Sequence, residues 1–211
     1  MITQFFRRLD KALLAPGSPR ILLIVHTALA AIIGLRLATR DWTAIAERPA
    51  ALTANLSVMN WFPAEAAVAP VLVGVQIVGL IGVGMVLARW RPQFGFIIAW
   101  VAYIFLAGLW ANSGKVVHND VLPALIGFVF LFAPVPARNE SSRPSKRFGW
   151  PPRAALVALG ILYFFTGFQK LRESGIDWVF SENMQWIMRQ GTSPFGAAFT
   201  DFSQATCDLP K

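Results

Sequence analysis

"VLVGVQIVGLIGVGMVLARWRPQFGFIIAWVAYIFLAGLW", residues 71–110, decides the fold. Two apolar stretches flank a short basic turn that holds Arg89 and Arg91, and neither stretch contains a Lys, Arg, Asp or Glu. About 20 such residues, wound as helix, cross the hydrocarbon core of a bilayer. The stretch therefore reads as a helical hairpin, with spans at 66–88 and 94–111. Working outward, the runs at 21–39, 120–132 and 154–168 have the same character. The expected fold is all-α: an integral membrane helical bundle of about five transmembrane helices. The basic segment 1–20 precedes the bundle of 21–170, and an interfacial segment and tail, 171–211, follow it.

Composition agrees. Of 211 residues, 55% are hydrophobic and only 14% charged, with mean hydropathy +0.53. Soluble domains carry about a quarter charged residues. The net charge of +8 would suggest nucleic acid in a soluble chain. Here the cations flank apolar runs, which the positive-inside rule explains better, so no nucleic-acid partner is expected. The run 21–39 is longer than a signal-peptide core and lacks a small-x-small site after it, so it reads as a retained span. One cysteine, Cys207, excludes a disulfide within the chain. With two histidines and no cysteine pair, no metal site is expected.

Loop charges set an orientation. Arg7, Arg8, Lys11 and Arg20 stand before the first span, Arg89 and Arg91 between the second and third, and Arg138, Arg143, Lys146, Arg147 and Arg153 between the fourth and fifth. The 39–65 loop balances Arg40 and Arg48 against Asp41, Glu47 and Glu65, and 112–116 holds only Lys115. This alternation predicts a cytoplasmic N-terminus and an external C-terminus. The segment 137–153, polar and Pro-bearing, reads as a cytoplasmic linker. Parts of 39–65 and 177–199 mix aromatic and aliphatic residues and read as short interfacial helices on the external side.

In that topology Arg36, His118, Asp120 and Lys170 share one depth near the external surface. Each has a plain reading: Lys170 and Arg36 snorkel to the interface, and Asp120 or Asn119 caps the fourth helix, with Pro123 in its first turn. Taken together they form a candidate site. A desolvated Lys loses affinity for its proton and becomes a base, and a His beside it can donate to developing negative charge.

Two segments carry a family resemblance. "FFTGFQKLRESGIDWVFSENMQWIMRQGTSPF", 164–195, and "HNDVLPALIGFVFLFAP", 118–134, resemble the post-fifth-span segment and the His-containing fourth span of vitamin K-dependent gamma-glutamyl carboxylase and of the bacterial HTTM-domain proteins. The resemblance covers about residues 20–200. It implies Lys170 as the base toward a reduced vitamin K-type quinone and His118 as the partner of a carbanion, with Asn119, Asp120, Arg36 and Trp178 on the substrate side. It also implies residence in a bacterial inner membrane. The chain departs from the family at Gln169, where a second Lys is usual, at Val117, where Asn is usual, and in the added "RESGI", 172–176. It also ends before the family's external substrate domain, which reads as a truncated copy. Two further readings stand beside the enzyme: a non-catalytic, DoxX-like quinone-binding module or subunit with a protein partner, and a transporter built on Gln76.

Overall fold

The computed structural model describes residues 14–49, 62–112, 118–136 and 143–175. Among these there is no strand, and five helices follow one another: α1 Pro19–Thr39, α2 Ala69–Leu87, α3 Pro92–Ala111, α4 His118–Leu131 and α5 Lys146–Ser174. α1, α2, α3 and α5 are long and apolar enough to cross a membrane. The described α4 has 14 residues, about 21 Å at 1.5 Å per residue. The chain divides into two units, Met1–Leu159 and Gly160–Lys211.

Proline starts three helices. It occupies N1 or N2 of α1, α2 and α3, where its missing N–H costs nothing and its fixed φ favours the first turn. None of these helices shows the separation of polar and apolar faces seen in water-facing helices. Exposed positions such as Ile24, Leu35, Ile81 and Phe94 are apolar, as lipid contact requires.

The first unit is held by antiparallel neighbours. α2 and α3 approach at glycine: Gly82 lies against the Gly95 carbonyl and the Ala99 amide, and Gly79 against Leu37 and Ala102. With no apolar-solvent difference between lipid and protein, such close backbone approach is what drives helices together in a membrane. α4 runs antiparallel along α3. Tyr103 meets Asp120, Trp100 Nε1 donates to the Ala124 carbonyl at 2.9 Å, and Gln93 donates to the Phe130 and Leu131 carbonyls. The short α4 therefore returns the chain to the end where α3 began.

That end is closed by the segment before α1. Gly17 and Ser145 exchange backbone hydrogen bonds of 2.9 and 3.1 Å, and Arg153 donates to the Ala15 and Gly149 carbonyls. The linker expected over 137–153 is thus helical from Lys146. Pro151 and Pro152 sit inside α5 and withhold the amides that Arg147 and Phe148 carbonyls would otherwise receive. The register survives because Phe148, Pro151 and Ala155 are buried and Arg153 ties the turn to residues 15–16. Arg153→Met keeps the aliphatic stem and removes the donors. It should cost about 1–2 kcal/mol, as expected for losing charge-assisted hydrogen bonds, measured by SDS-titrated unfolding in mixed micelles.

The α2–α3 turn is unusual in its residues. Trp90 N–H bonds the Met85 carbonyl at 3.0 Å and Arg89 N–H bonds that of Val86 at 3.1 Å. This is the Schellman closure, whose left-handed position is normally glycine. Arg89 occupies it at φ 57°, and Arg91 is also left-handed at φ 47°.

The second unit is described over 160–175, the later part of α5. Phe164 and Phe168 stack with centroids 6.3 Å apart, and Tyr163, Phe164, Phe165 and Phe168 are exposed.

Candidate functional site

The end of the first unit where α1 and α3 finish and α4 starts holds its polar groups in one cluster. α1 stops at Arg40, which turns to extended backbone at φ −92°, ψ 136°. The last carbonyls of a helix have no intrahelical donor. Here the Leu37 carbonyl takes two: Trp42 Nε1 at 3.0 Å and Gln76 Nε2 at 2.7 Å. Gln76 is therefore a fastening between α1 and α2.

The exit from α1 is an Asx turn. Asp41 Oδ1 accepts from the Thr43 hydroxyl at 2.6 Å and the Thr43 amide at 3.0 Å, and the Thr43 hydroxyl above all holds this exposed carboxyl below its ordinary range. The turn leads into a short 3-10 segment, Thr43–Ile45, with Trp42 and Ile45 buried against the bundle. The part of the expected interfacial helix that is described is thus a plug in the bundle end. The reason is that Trp42 and Ile45 find protein to pack on and a carbonyl for the indole N–H.

Arg40 then reaches α4. Its Nη1 donates to Asp120 Oδ2 at 2.7 Å, with the two side chains 17% and 10% exposed. The guanidinium lies 5.2 Å from the Trp42 ring centre and 4.8 Å from that of Trp110, and the two indoles meet edge to face. Indole faces attract a cation held over them. The Tyr103 hydroxyl donates to Asp120 Oδ1 at 3.2 Å. Arg48 adds a second cation beside Trp110, 5.7 Å from its ring, and donates to its carbonyl at 3.3 Å, where the negative end of α3 favours it.

The expectation that Asp120 caps α4 is corrected: α4 begins at His118, so Asp120 lies within its first turn. Both carboxylate oxygens are engaged by other helices. A carboxylate in the mouth of an apolar bundle needs a cation more than α4 needs a cap. Pro123 is inside the helix, buried, rather than at its start.

Of the expected site residues, Asp120 and Arg36 stand at this end, Arg36 half-buried in the last turn of α1. His118 and Asn119 open α4 at the same end, and their side chains lie outside the described residues. Lys170 is half-buried in the second unit. Trp178 and the expected interfacial segment 177–199 lie outside the described residues. Arg40, Trp42, Tyr103 and Trp110 complete the cluster and carry no sequence signal linking them. Tryptophans 42 and 110 mark span ends, but the pairing of residues 40 and 120 crosses the whole bundle sequence. No group of three or more metal-ligating side chains occurs among the described residues.

The chemistry available is positional. Arg40 has five N–H donors and one is spent on Asp120, while two flat indoles border the charge. A guanidinium held in this way can donate to a carbonyl or hydroxyl oxygen. Asp120, with both oxygens occupied, is a pin that sets the start of α4. No family model, curated protein or solved structure matches this chain.

Proposed function

We propose that this chain is an integral membrane protein that holds a lipid-soluble reduced quinone at the Arg40 end of its bundle, the end facing out of a bacterial inner membrane. The observation that carries the reading is the Arg40–Asp120 pair, buried at a bundle mouth and bordered by Tyr103, Trp42 and Trp110. Charges kept inside a membrane bundle mark sites by default. A bound reduced quinone supplies an acidic hydroxyl and two electrons. Arg40 offers donors to its oxygen. The outward orientation rests on the excess of Lys and Arg at the opposite end.

The carboxylase-type version assigns Lys170 as the base and His118 as the partner of developing charge, on the resemblance alone. The binding-module version, with a protein partner, is favoured by Asp120, whose oxygens are committed to Arg40 and Tyr103 and so suit a structural pin better than a proton carrier. One experiment separates them. Reduced vitamin K-type quinone is titrated into the purified protein in air-saturated detergent buffer, with dioxygen as the two-electron oxidant, tryptophan fluorescence for binding, and quinone absorbance for oxidation above the protein-free rate. Saturable binding is expected. Oxidation that disappears in Lys170→Ala and His118→Ala, with binding retained, establishes the enzyme. Binding without oxidation establishes the module. Absence of binding by folded protein defeats both.

A further inference from the structure

The opposite end of the first unit is hollow. A cavity of about 460 Å³ opens there among α1, the α2–α3 turn, the start of α3 and residues 135–136. Its polar lining comes from His26, Thr27, Arg89, Arg91 and Gln93, and its apolar lining includes Leu23 and Phe94.

His26 is the telling residue. It is 2% exposed, and neither ring nitrogen has a hydrogen-bond partner within the described structure. The ring packs 4.6 Å from Phe96 and 6.1 Å from Phe130, so its plane is held by apolar neighbours. Gln93 commits its amide nitrogen to the end of α4 and leaves its buried Oε1 without a donor. Buried polar atoms without partners are rare and call for a ligand or water. Around them the charge is uniformly positive. Among the described residues no carboxylate pairs with Arg89 or Arg91, and the first amides of α3, at Gln93 and Phe94, have no acceptor inside the helix. A helix N-terminus with adjacent arginines favours an oxyanion.

The backbone supports the same reading. Arginine stands where the Schellman turn wants glycine. A left-handed non-glycine residue is retained against its local cost only where something else requires it.

We infer that this cavity binds the phosphodiester headgroup of an anionic, hydroxyl-bearing membrane lipid of the phosphatidylglycerol type. The phosphate oxygens accept from Arg89, Arg91, the α3 amides and a His26 N–H. A headgroup hydroxyl donates to Gln93 Oε1. The acyl chains leave along the exposed apolar face that includes Phe94. A free phosphate ester shares the headgroup chemistry but lacks the chains, so the test separates the two.

Purified protein in detergent is mixed with phosphatidylglycerol, with phosphatidylcholine, or with glycerol 3-phosphate, and thermal unfolding and native mass spectra are recorded. Phosphatidylglycerol should raise the midpoint by several degrees and remain bound in the spectrum. Phosphatidylcholine should do neither, and glycerol 3-phosphate at the same concentration should have no effect. Arg89→Gly supplies the control for folding. It relieves the left-handed strain, so the lipid-free protein should melt at or above the wild-type midpoint, while lipid retention falls about tenfold. His26→Phe, which keeps the aromatic packing, should reduce retention in the same direction. Equal binding of both lipids, or undiminished phosphatidylglycerol binding in Arg89→Gly and His26→Phe, would overturn the proposal. An equal effect of glycerol 3-phosphate would make the site one for a soluble phosphate ester and overturn the lipid assignment.

Discussion

Asp120→Ala should lower the stability of the bundle by about 2–4 kcal/mol, near the cost of stripping one partner from a buried ion pair. Asp120 is 8% exposed, and its loss leaves the Arg40 guanidinium between two indoles with no counter-charge. The Tyr103 hydroxyl loses an acceptor as well. Hydrogen bonds inside membrane proteins often contribute only about 0.6 kcal/mol. The larger figure applies here because a charge, and not a neutral donor, is left behind. A double-mutant cycle isolates the term. Arg40→Ala with Asp120→Ala should cost clearly less than the sum of the two single changes, measured by reversible unfolding in SDS-containing micelles. Strict additivity would show that the pair is not coupled, and with it the cluster would lose its role as a pin. Tyr103→Phe should cost about 1 kcal/mol, the usual size of one hydrogen bond.

Gly82→Ala should destabilise the bundle and Gly84→Ala should not, although only Val83 separates the two residues on α2. A Cβ at Gly82 would stand 2.6 Å from the Gly95 carbonyl oxygen and 2.8 Å from the Ala99 amide nitrogen. Both obstacles are backbone, so relief requires α2 and α3 to separate along their contact. Overpacking of this kind costs about 1–3 kcal/mol for small additions, and Gly82→Leu should prevent assembly of the hairpin. At Gly84 a Cβ meets nothing within 4 Å. Alanine there should be neutral or stabilise the helix by about 0.5–1 kcal/mol through propensity. Thermal unfolding of the two alanine variants decides the matter. A loss in both would mean that the α2–α3 contact is not set by Gly82.

Much of this chain is legible before any coordinates. The apolar runs read at 21–39, 66–88 and 94–111 stand beside helices at Pro19–Thr39, Ala69–Leu87 and Pro92–Ala111. Length and composition suffice there because a membrane leaves a polar backbone few choices. Near the membrane surface the same rules lose their hold. Pro151 and Pro152 read as a break but lie within α5, because burial of Phe148 and Ala155 and the bonds of Arg153 to residues 15–16 outweigh local preference. Asp120 reads as a cap, and its partner Arg40 reads as an ordinary loop cation. Nothing local joins them, since their separation of 80 residues closes only when α4 folds back along α3.

The amino-acid sequence by itself determined that the chain forms apolar helices long enough to cross a membrane, because hydropathy is a sum over residues and needs no partners. It also singled out the end where Arg36 and Asp120 stand, because charge beside an apolar run is visible residue by residue. Only the tertiary structure decided which charges are paired and which polar atoms are left alone. Arg40 met Asp120 between two indoles, Gln76 met a helix-end carbonyl, and His26 was left with two unsatisfied nitrogens beside a basic cavity. Pairing depends on distance in space, and in a bundle of antiparallel helices that distance is set by packing registers, such as Gly82 against Gly95, that a single chain of letters does not state.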